Sequence, residues 1–600
     1  MRLFYKPKVL KISNLMLKFN TFSFIKNEFS NNLLEKINEL FGENSSDGLK
    51  LFINKNTTLK DEEFKIDTTP EEINIYTKTE AAAYYALLTL KDILKQTSNC
   101  FYVEDYPDLE IRGVMVDISR SKVPTKETLK EMIKLFSKLR YNHIELYVEG
   151  FSFEYKSFPN VLDEKNYITL DDYLEIEKYA NEYYLDFVPN QNGFGHMADW
   201  LAKEEYKELA ECPEGFFIWG AHRPSSTLDP INPKSTELVK KMYADMIPYT
   251  SSKYFNMNFD EPYELGQGKS KEKAEETSME DVYIDYFNNL AKDVKNYGKI
   301  PMLWGDVLIK HPEKLDKLID DAIFIDWGYD KGYQFEKHAK ILSEKKVKYM
   351  LAPGTSSWAT ITSRILDMEH TILNSAKAAK KYNSLGVLIT DWGDMGHLQY
   401  LPVSYLGFIL GGINSWTDAT LYDAIEYLKE FLKDDYLVEA MLELGRYHLL
   451  EGEYRGYGSR LFSAIMWAEH SRRQENTIDF FKSRMFSNLI EEPNLNMIKI
   501  SFAKADKLLV FAKESLEKDE LKNSLHLLNI LVSINEKLTK IKNNLSVDFD
   551  YEIDELKKYL IKHEQLWLMR NIEYGYKKSA DRIVWLIEIL DKLARKEKLC

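Results

Sequence analysis

Short apolar runs alternate with amphipathic stretches along the middle of the chain. Eight runs are rich in β-branched and aromatic residues: 112–119, 143–149, 185–191, 254–261, 301–306, 322–328, 348–354 and 385–394. The stretches between them, such as 125–140 and 169–183, repeat apolar residues with the period of a helix that faces a core. This alternation predicts a (β/α)8 TIM barrel over residues 109–430. A doubly wound open sheet is the alternative, but eight nearly even units favour closure.

The two flanking regions have different patterns. Residues 1–108 alternate short apolar runs around one strong helix at 80–96, which indicates a small α+β domain. From 431 to 600 glycine and proline become rare and long helical stretches follow, so we expect an α-helical C-terminal domain. Its segment 521–545 has an apolar stripe for packing against the barrel or a second subunit, formed by Leu525, Leu528, Ile530, Leu531 and Ile534.

The predicted strands end in polar or aromatic residues. These are Asp117, Glu149, Asn190, Asp260, Asp306, Trp327, Trp358 and Asp394. In a barrel the carboxyl ends of the strands converge on the active face, so these side chains should meet. Four tryptophans lie at or just past strand ends, namely Trp304, Trp327, Trp358 and Trp392. One buried tryptophan is usually core, but four at one end favour the wall of a pocket for a flat, partly apolar ring.

The stretch "YFNMNFDEPYELGQGKS" (254–270) contains the main candidate for chemistry. Strand alternation points Asn256, Asn258 and Asp260 into the barrel, and Glu261 follows at the strand exit. Adjacent carboxylates repel each other and raise one pKa, which suits a general acid. A surface Asp-Glu pair is the alternative. The following "GQGKS" is not a phosphate loop, because Tyr263 stands where that motif needs its first glycine.

Composition and charge exclude several classes of protein. The net charge of −15 over 600 residues argues against a nucleic-acid partner. Three distant cysteines without a CxxC pair, Cys100, Cys212 and Cys600, favour a reducing compartment. No apolar run approaches the ~20 residues of a membrane span, so we expect no membrane partner and a cytoplasmic protein. The histidines show no HExxH or paired spacing, so we expect neither metal nor cofactor.

Several segments resemble the family 20 glycoside hydrolases, the β-N-acetylhexosaminidases, and most closely the hexosaminidase D-like branch. The resemblance covers about residues 60–410. "FDEPYELGQGKS" (259–270) resembles the Asp-Glu motif of the family. "RGVMVDISR" (112–120), "VPNQNGFGHM" (188–197) and "LITDWGD" (388–394) resemble its first, third and last strands, and "EAAAYYALLTLKDIL" (80–94) resembles the helix of the preceding domain.

The resemblance implies an exo-acting, retaining β-N-acetylhexosaminidase that removes terminal β-linked GlcNAc or GalNAc. In this family the 2-acetamido oxygen of the substrate is the nucleophile. Glu261 would be the acid and base, and Asp260 would orient and stabilise the acetamido group. Further substrate contacts are implied for Arg112 and Asp394 with hydroxyls, for Trp304, Trp327 and Trp392 as walls, for His196 in the network around the acid, and for Tyr329 or Trp358 at the acetamide carbonyl.

Departures from the family pattern leave alternatives open. Asn190 and Asn192 stand where many relatives have an acid, and Glu149 alone replaces an Asp pair after the second strand. Arg112 could instead form an interior salt bridge, with Asp117 as a candidate partner, and His196 could cap a loop. The rival functions are a barrel glycosidase that does not use the acetamide and an inactive carbohydrate-binding protein. The expected partners are a small oligosaccharide or glycoconjugate and a second copy of the chain, bound through the C-terminal helices.

Overall fold

A computed structural model describes residues 2–18, 21–24, 30–162, 165–454 and 456–597. Cys600 therefore lies outside the described residues. The first part is a six-stranded mixed sheet, in the order β1-β6-β4-β5-β3-β2, with two helices. Its elements are β1 (Val9–Met16), β2 (Phe22–Phe24), α1 (Asn31–Phe41), β3 (Leu49–Lys55), β4 (Phe64–Thr68), β5 (Glu72–Thr77), α2 (Glu80–Leu94) and β6 (Asn99–Asp105).

Helix α2 joins this sheet to the next part of the molecule. The Thr79 hydroxyl accepts the backbone N–H of Ala82 and so caps the start of the helix. Ten of its 15 residues are buried, because the helix packs on the sheet with one side and on the base of the following barrel with the other. Tyr85 illustrates the second contact, with its ring 5.0 Å from that of Trp416.

Eight parallel strands form a barrel, which confirms the fold class expected from the alternation. The strands are β7 (Ile111–Asp117), β8 (His143–Tyr147), β9 (Asp186–Val188), β12 (Tyr254–Asn256), β13 (Ile300–Trp304), β14 (Ile323–Trp327), β15 (Lys348–Ala352) and β16 (Gly386–Asp391). A separate hairpin between β9 and β12 supplies β10 (Phe216–Ile218) and β11 (Ala221–Arg223). The barrel closes between β9 and β12 through a single parallel bridge, Asn190 to Asn256.

Helices connect the strands on the outside of the barrel. They are α3 (Lys126–Lys138), α4 (Leu170–Glu182), α5 (Ala198–Leu201), α6 (Pro233–Met246), α7 (Lys271–Glu276), α8 (Met279–Asn296), α9 (Phe335–Glu344), α10 (Ile365–Lys381) and α11 (Pro402–Trp416). Thr125, Thr169 and Ser278 cap the N-termini of α3, α4 and α8 with their hydroxyls. Between β13 and β14 two short 3-10 turns replace the α-helix.

The rest of the described chain is helical. Its helices are α12 (Leu421–Leu432), α13 (Asp435–Leu444), α14 (Ser463–Ser471), α15 (Thr477–Phe486), α16 (Glu492–Phe511), α17 (Leu516–Lys542), α18 (Asp550–Leu568) and α19 (Tyr576–Glu597). The predicted stripe on α17 is buried in their common core. Within the described ranges, no helix combines the length and apolar composition needed to cross a bilayer.

Candidate active site

The Asp-Glu pair lies on a strained loop at the carboxyl end of β12. The strand stops at Asn256, and Asn258, Phe259 and Glu261 then have positive φ angles of 61°, 72° and 47°. Such conformations are unfavourable for non-glycine residues and persist only where the surroundings hold them. Phe259 packs outward against aromatic rings of α8, with ring centroids 5.3 Å apart for Phe287. Gly195 allows the β9 loop to approach, since a Cβ there would lie 2.1 Å from the Asp260 carbonyl oxygen.

A layer of buried amides supports this loop from inside the barrel. Asn258 donates to the Asn190 side chain (2.7 Å) and accepts the indole N–H of Trp304 (2.7 Å). Asn190 and Asn256 both donate to Glu145, at 2.7 and 2.8 Å. The amide of Asn190 therefore links a carboxylate below it to the loop above it, which an acid at this position could not do in its ionised form.

One histidine lies among the carboxylates of the site. His196 Nε2 is 3.2 Å from Asp260 and 3.4 Å from Glu261, and its Nδ1 is 3.4 Å from Glu149. Burial opposes its protonation, but the charges of Asp260 and Glu149 outweigh burial and raise the pKa of His196 well above its usual value. The imidazolium in turn overcomes the effect of burial on Asp260 and lowers the pKa of that carboxyl. Asp260 also accepts the Asn192 amide at 2.7 Å.

Asp306, at the end of β13, has the opposite electrostatic environment. It accepts the backbone N–H of Glu261 at 3.2 Å. Burial, followed by the negative charges of Glu261 and Asp260, raises its pKa to about 7. The cluster of three carboxyl groups can therefore hold a proton near neutral pH, which is a condition for general acid catalysis at this end of the barrel.

Arg120 forms the cationic wall of the site. Its guanidinium is 3.2 Å from Asp117, 3.3 Å from Glu149 and 3.8 Å from Asp394. It also lies over the rings of Tyr147 and Trp392, at 4.8 and 5.0 Å from their centroids. Such a sandwich fixes a planar donor so that its remaining N–H groups can bind oxygens in a fixed geometry.

Aromatic side chains complete the cavity at this end of the barrel. Trp327 stacks on Tyr329 (5.2 Å), and Trp358 meets Tyr329 edge-on (5.0 Å). The Trp392 indole N–H donates to the Tyr329 hydroxyl at 2.8 Å. The cavity is lined by Arg120, His196, Asp260, Glu261, Trp304, Trp327, Tyr329, Trp358, Trp392, Asp394 and Tyr457.

The structure brings most of the predicted residues together. Both carboxylates, His196, Asp394, Tyr329 and all four tryptophans line the cavity. Glu149 lies behind His196 and Arg120, at 3.4 and 3.3 Å, and receives the Tyr147 hydroxyl at 2.8 Å. Their roles toward a substrate remain predictions.

Arg112 requires a correction. It lies at the amino end of β7, on the far side of the barrel from the cavity, and forms an ion pair at 2.6 Å with Glu62, in the turn before β4. Its side chain is fully buried there, and its Nε donates to the Arg140 carbonyl at 2.7 Å. The structure therefore supports the alternative of an interior salt bridge, although the partner is Glu62 and not Asp117.

Two residues of the cavity were missed from the sequence. Arg120 ends the segment "RGVMVDISR", so counting from the strand end would have favoured it over Arg112. Tyr457 enters from the helical region beyond the barrel, and its backbone N–H donates to Asp330 at 3.0 Å. No local sequence pattern indicates that contact.

The sequence matches the family described as glycosyl hydrolase family 20, catalytic domain, over residues 110–395. The barrel of this chain belongs to glycosyl hydrolase family 20. Relatives of this family 20 barrel include a lacto-N-biosidase of Bifidobacterium bifidum, 25% identical over 302 residues, and β-hexosaminidase subunit A2 of Dictyostelium discoideum, 26% identical over 257 residues. The matches cover 47% and 40% of this chain, but only 25% and 46% of those two proteins.

Solved structures share the fold of the family 20 barrel and its surroundings. A family 20 exo-β-N-acetylglucosaminidase from Vibrio harveyi superimposes with a TM-score of 0.58 at 16% identity, covering 74% of this chain and 78% of that one. A chitobiase from Flavobacterium johnsoniae superimposes with a TM-score of 0.59 at 17% identity, covering 97% and 99%. At these identities the likeness concerns architecture, which here extends into the helical region.

Proposed function

We propose that the protein is an exo-acting, retaining β-N-acetylhexosaminidase that releases terminal β-linked GlcNAc or GalNAc with assistance from the substrate. The observation that carries this proposal is the adjacency of Asp260 and Glu261 at the floor of a tryptophan-lined pocket. One carboxylate can address the glycosidic oxygen while its neighbour addresses the C2 substituent of the same sugar. A family 20 barrel and relatives named β-hexosaminidases support the same reading.

The proposed reaction has two displacements at the anomeric carbon. In the first, the acetamido oxygen attacks that carbon, the bond to the leaving oxygen breaks, and Glu261 gives its proton to the leaving oxygen. In the second, the Glu261 carboxylate takes a proton from water while that water attacks the same carbon and reopens the acetamide. Two inversions retain the configuration. Asp260 supplies no covalent bond and stabilises the positive charge that develops on the acetamido nitrogen.

The charges around the pair suit these two roles. The lowered pKa of Asp260 keeps it ionised, which its role requires. Asp306, with a pKa of about 7, accepts the backbone N–H of Glu261, so the Asp306 carboxyl can hold a proton close to Glu261 near neutral pH. We assign the hydrogen bond to the acetamide carbonyl to Tyr329 and not to Trp358. The Tyr329 hydroxyl oxygen already accepts the Trp392 N–H, so its hydroxyl hydrogen points toward a different acceptor.

The test combines a substrate panel with one variant. Chromogenic β-glycosides with the 2-acetamido group should be hydrolysed, and matched glucosides without it should not. Asp260→Asn keeps the shape but not the charge, so it should lower kcat more than it raises KM, and it should weaken inhibition by a thiazoline that mimics the cyclised intermediate. Asp186→Asn, at the amino end of β9, is the control and should change neither.

Two outcomes would contradict the proposal. Equal hydrolysis of glycosides with and without the acetamide would favour a glycosidase that uses an enzymic nucleophile. In that case a 2-deoxy-2-fluoro glycoside should leave a sugar mass on the protein. Thiazoline binding without turnover of any glycoside would favour an inactive carbohydrate-binding protein.

Location and assembly are further proposals. We propose a cytoplasmic protein, on the cysteine usage and the absence of long apolar runs in the sequence. We also propose a homo-oligomer through the C-terminal helices. Three apolar residues of α16 support it by their exposed fractions, Ile500 (71%), Val510 (68%) and Phe511 (67%). Sedimentation of the wild type against an Ile500→Lys variant tests this contact.

A further inference from the structure

The hairpin between β9 and β12 has an unusual turn. Strands β10 and β11 are joined by Trp219 and Gly220 alone, and both residues have positive φ, 52° and 71°. Two-residue turns of this kind favour Asn-Gly, because a bulky side chain at the first position is strained. Trp219 is nevertheless 58% exposed, so burial of its ring does not explain the choice of residue.

This turn lies beside the proposed general acid. The ring of Trp219 meets that of Tyr263 edge-on, with centroids 5.2 Å apart. Tyr263 is two residues beyond Glu261 and donates its backbone N–H to the Glu261 carbonyl at 2.7 Å. The charge of Glu261 is also the largest contribution, after burial, to the raised pKa of Tyr263. Trp219 therefore stands on the Glu261 side of the cavity.

The C-terminal helices hold the turn in place. Arg484 of α15 donates to the carbonyl oxygens of Trp219 and Gly220, at 3.3 and 3.1 Å. A Cβ on Gly220 would lie 2.4 Å from that guanidinium, so the two elements fit closely. A strained, exposed aromatic residue that another part of the molecule fixes in place is typical of a binding surface.

Arg223, at the end of β11, is a cation without a counter-ion. Its guanidinium lies over the Trp219 ring, 4.6 Å from the centroid. In the described part of the chain no carboxylate comes within 4.0 Å of it, and its buried Nε has no hydrogen-bond partner. Burial, followed by the positive charge of Arg473, lowers the pKa of Arg223. Glu469, the acid nearby, is already shared by Arg473 and Arg582, at 3.4 and 2.9 Å.

We propose that Trp219 and Arg223 form the subsite for the leaving group, and that this leaving group is an acidic sugar. The inference rests on the proposed function, because it places the departing oxygen at Glu261. The sugar on that oxygen must then leave past Tyr263 and Trp219. The exposed indole can stack on the apolar face of a pyranose, and Arg223 can pair with a carboxylate, sulfate or phosphate on that ring. An anion bound there would compensate the neighbouring positive charges of Arg223 and Arg473.

The experiment compares three substrates that differ only in the leaving group. They are 2-acetamido-2-deoxy-β-glucosyl fluoride, GlcNAc-β-1,4-glucose and GlcNAc-β-1,4-glucuronic acid, and the last two differ by one carboxylate. Of the two disaccharides, the wild type should cleave the acidic one with the higher kcat/KM. Trp219→Asn should lower kcat/KM about tenfold for both disaccharides, and Arg223→Gln about tenfold for the acidic one alone. Neither variant should lower kcat/KM for the glycosyl fluoride.

The variants are chosen so that misfolding cannot imitate these results. Asparagine is favoured at the first position of this turn, so Trp219→Asn should melt at the same or a higher temperature than the wild type. Phe217→Ala, on the same hairpin, is the control. Phe217 is 75% exposed but lies against His222, with ring centroids 5.2 Å apart, and its removal should leave all three substrates unaffected.

The outcomes separate this inference from the proposed function. If the wild type cleaves none of the three substrates, the proposed function is wrong, and the inference that rests on it is wrong as well. A wild type that cleaves them, with variants that have no effect or lower all three rates equally, overturns the inference and leaves the proposed function intact. A loss in Arg223→Gln that is equal for the neutral and acidic disaccharides overturns the assignment of an acidic sugar.

Discussion

Individual side chains in the cavity are held in states that they would not adopt alone. Glu261 has a left-handed backbone conformation, neighbouring carboxylates raise the pKa of His196 although burial opposes this, and burial raises the pKa of Asp306 to about 7. Each state is imposed by neighbours: the carboxylates charge His196, and His196 keeps Asp260 ionised. Functional sites commonly concentrate such perturbed groups, because catalysis needs protonation states that free side chains do not have at neutral pH.

At the residue scale, Asp306 gives a pH-dependent prediction. Its pKa is raised from 3.8 to about 7 on folding, so between these values the folded protein holds a proton that the unfolded chain has lost. Stability from this group is complete below pH 4 and is lost as the pH rises to 7. Asp306→Asn cannot ionise. The free energy of unfolding of the variant minus that of the wild type should therefore increase from pH 4 to 7 and then level off.

Urea unfolding at a series of pH values measures this difference. Asp320→Asn, which changes an exposed aspartate away from the cavity, serves as the control and should give a difference that does not vary with pH. A similar flat difference for Asp306→Asn would mean that Asp306 ionises normally in the folded protein.

At the scale of elements, the site is built from strand ends that reach across the barrel. β14 and β16 are not neighbours in the sheet, yet Trp392 after β16 donates its indole N–H to Tyr329 after β14. The hairpin β10–β11 and the loop after β12 meet in the same way, through Trp219 and Tyr263. These contacts tie separate loops into one wall, so the geometry of the pocket depends on several elements at once.

Trp392 tests whether such a wall residue acts on the ligand or on the core. If it stacks on a sugar, Trp392→Ala should weaken thiazoline binding by about tenfold or more while the fold survives. Were it only a core residue, the variant would lose about 3–5 kcal/mol of stability and bind the thiazoline with unchanged affinity. Trp567→Ala, which changes a buried residue near the end of α18, is the matched control for a purely structural loss. Thermal melting and thiazoline inhibition, measured on both variants, distinguish a role in sugar binding from a role in the core.

At the scale of the whole molecule, the two flanking parts act at opposite ends of the barrel. The first sheet covers the amino ends of the strands through buried ion pairs, Arg112 with Glu62 and Arg140 with Asp105. The C-terminal helices reach the active face, where Tyr457 lines the cavity and Arg484 holds the hairpin turn. Stability therefore depends on the base of the barrel, whereas the shape of the pocket depends on the top.

Two arginines of the first barrel segment distinguish these roles. Arg112→Gln leaves Glu62 without its cation in a largely buried place, so it should cost about 3–5 kcal/mol of stability and leave kcat/KM unchanged. Arg120→Gln removes a charged donor from the cavity and should lower kcat/KM about tenfold or more. Thermal melting and steady-state kinetics on both variants check this. A loss of activity in Arg112→Gln without a loss of stability would restore Arg112 to the site.

The sequence alone was enough for features that depend on local periodicity. The eight strands, the helices between them and the position of the Asp-Glu pair all follow from side-chain periodicity, which acts within a few residues. The same alternation placed the tryptophans at strand ends, and the structure puts all four in one cavity.

Only the tertiary structure decided which distant residues meet. Arg112 and Arg120 belong to one segment, but a strand has two ends about 20 Å apart, and only packing shows which arginine faces the pocket. Tyr457 and Trp219 come from regions with no strand-end pattern, and the turn of Trp219 is stabilised by a helix more than 250 residues later in the chain, through Arg484. Contacts over such separations leave no local periodicity, because they depend on how whole elements pack and not on the order of neighbouring residues.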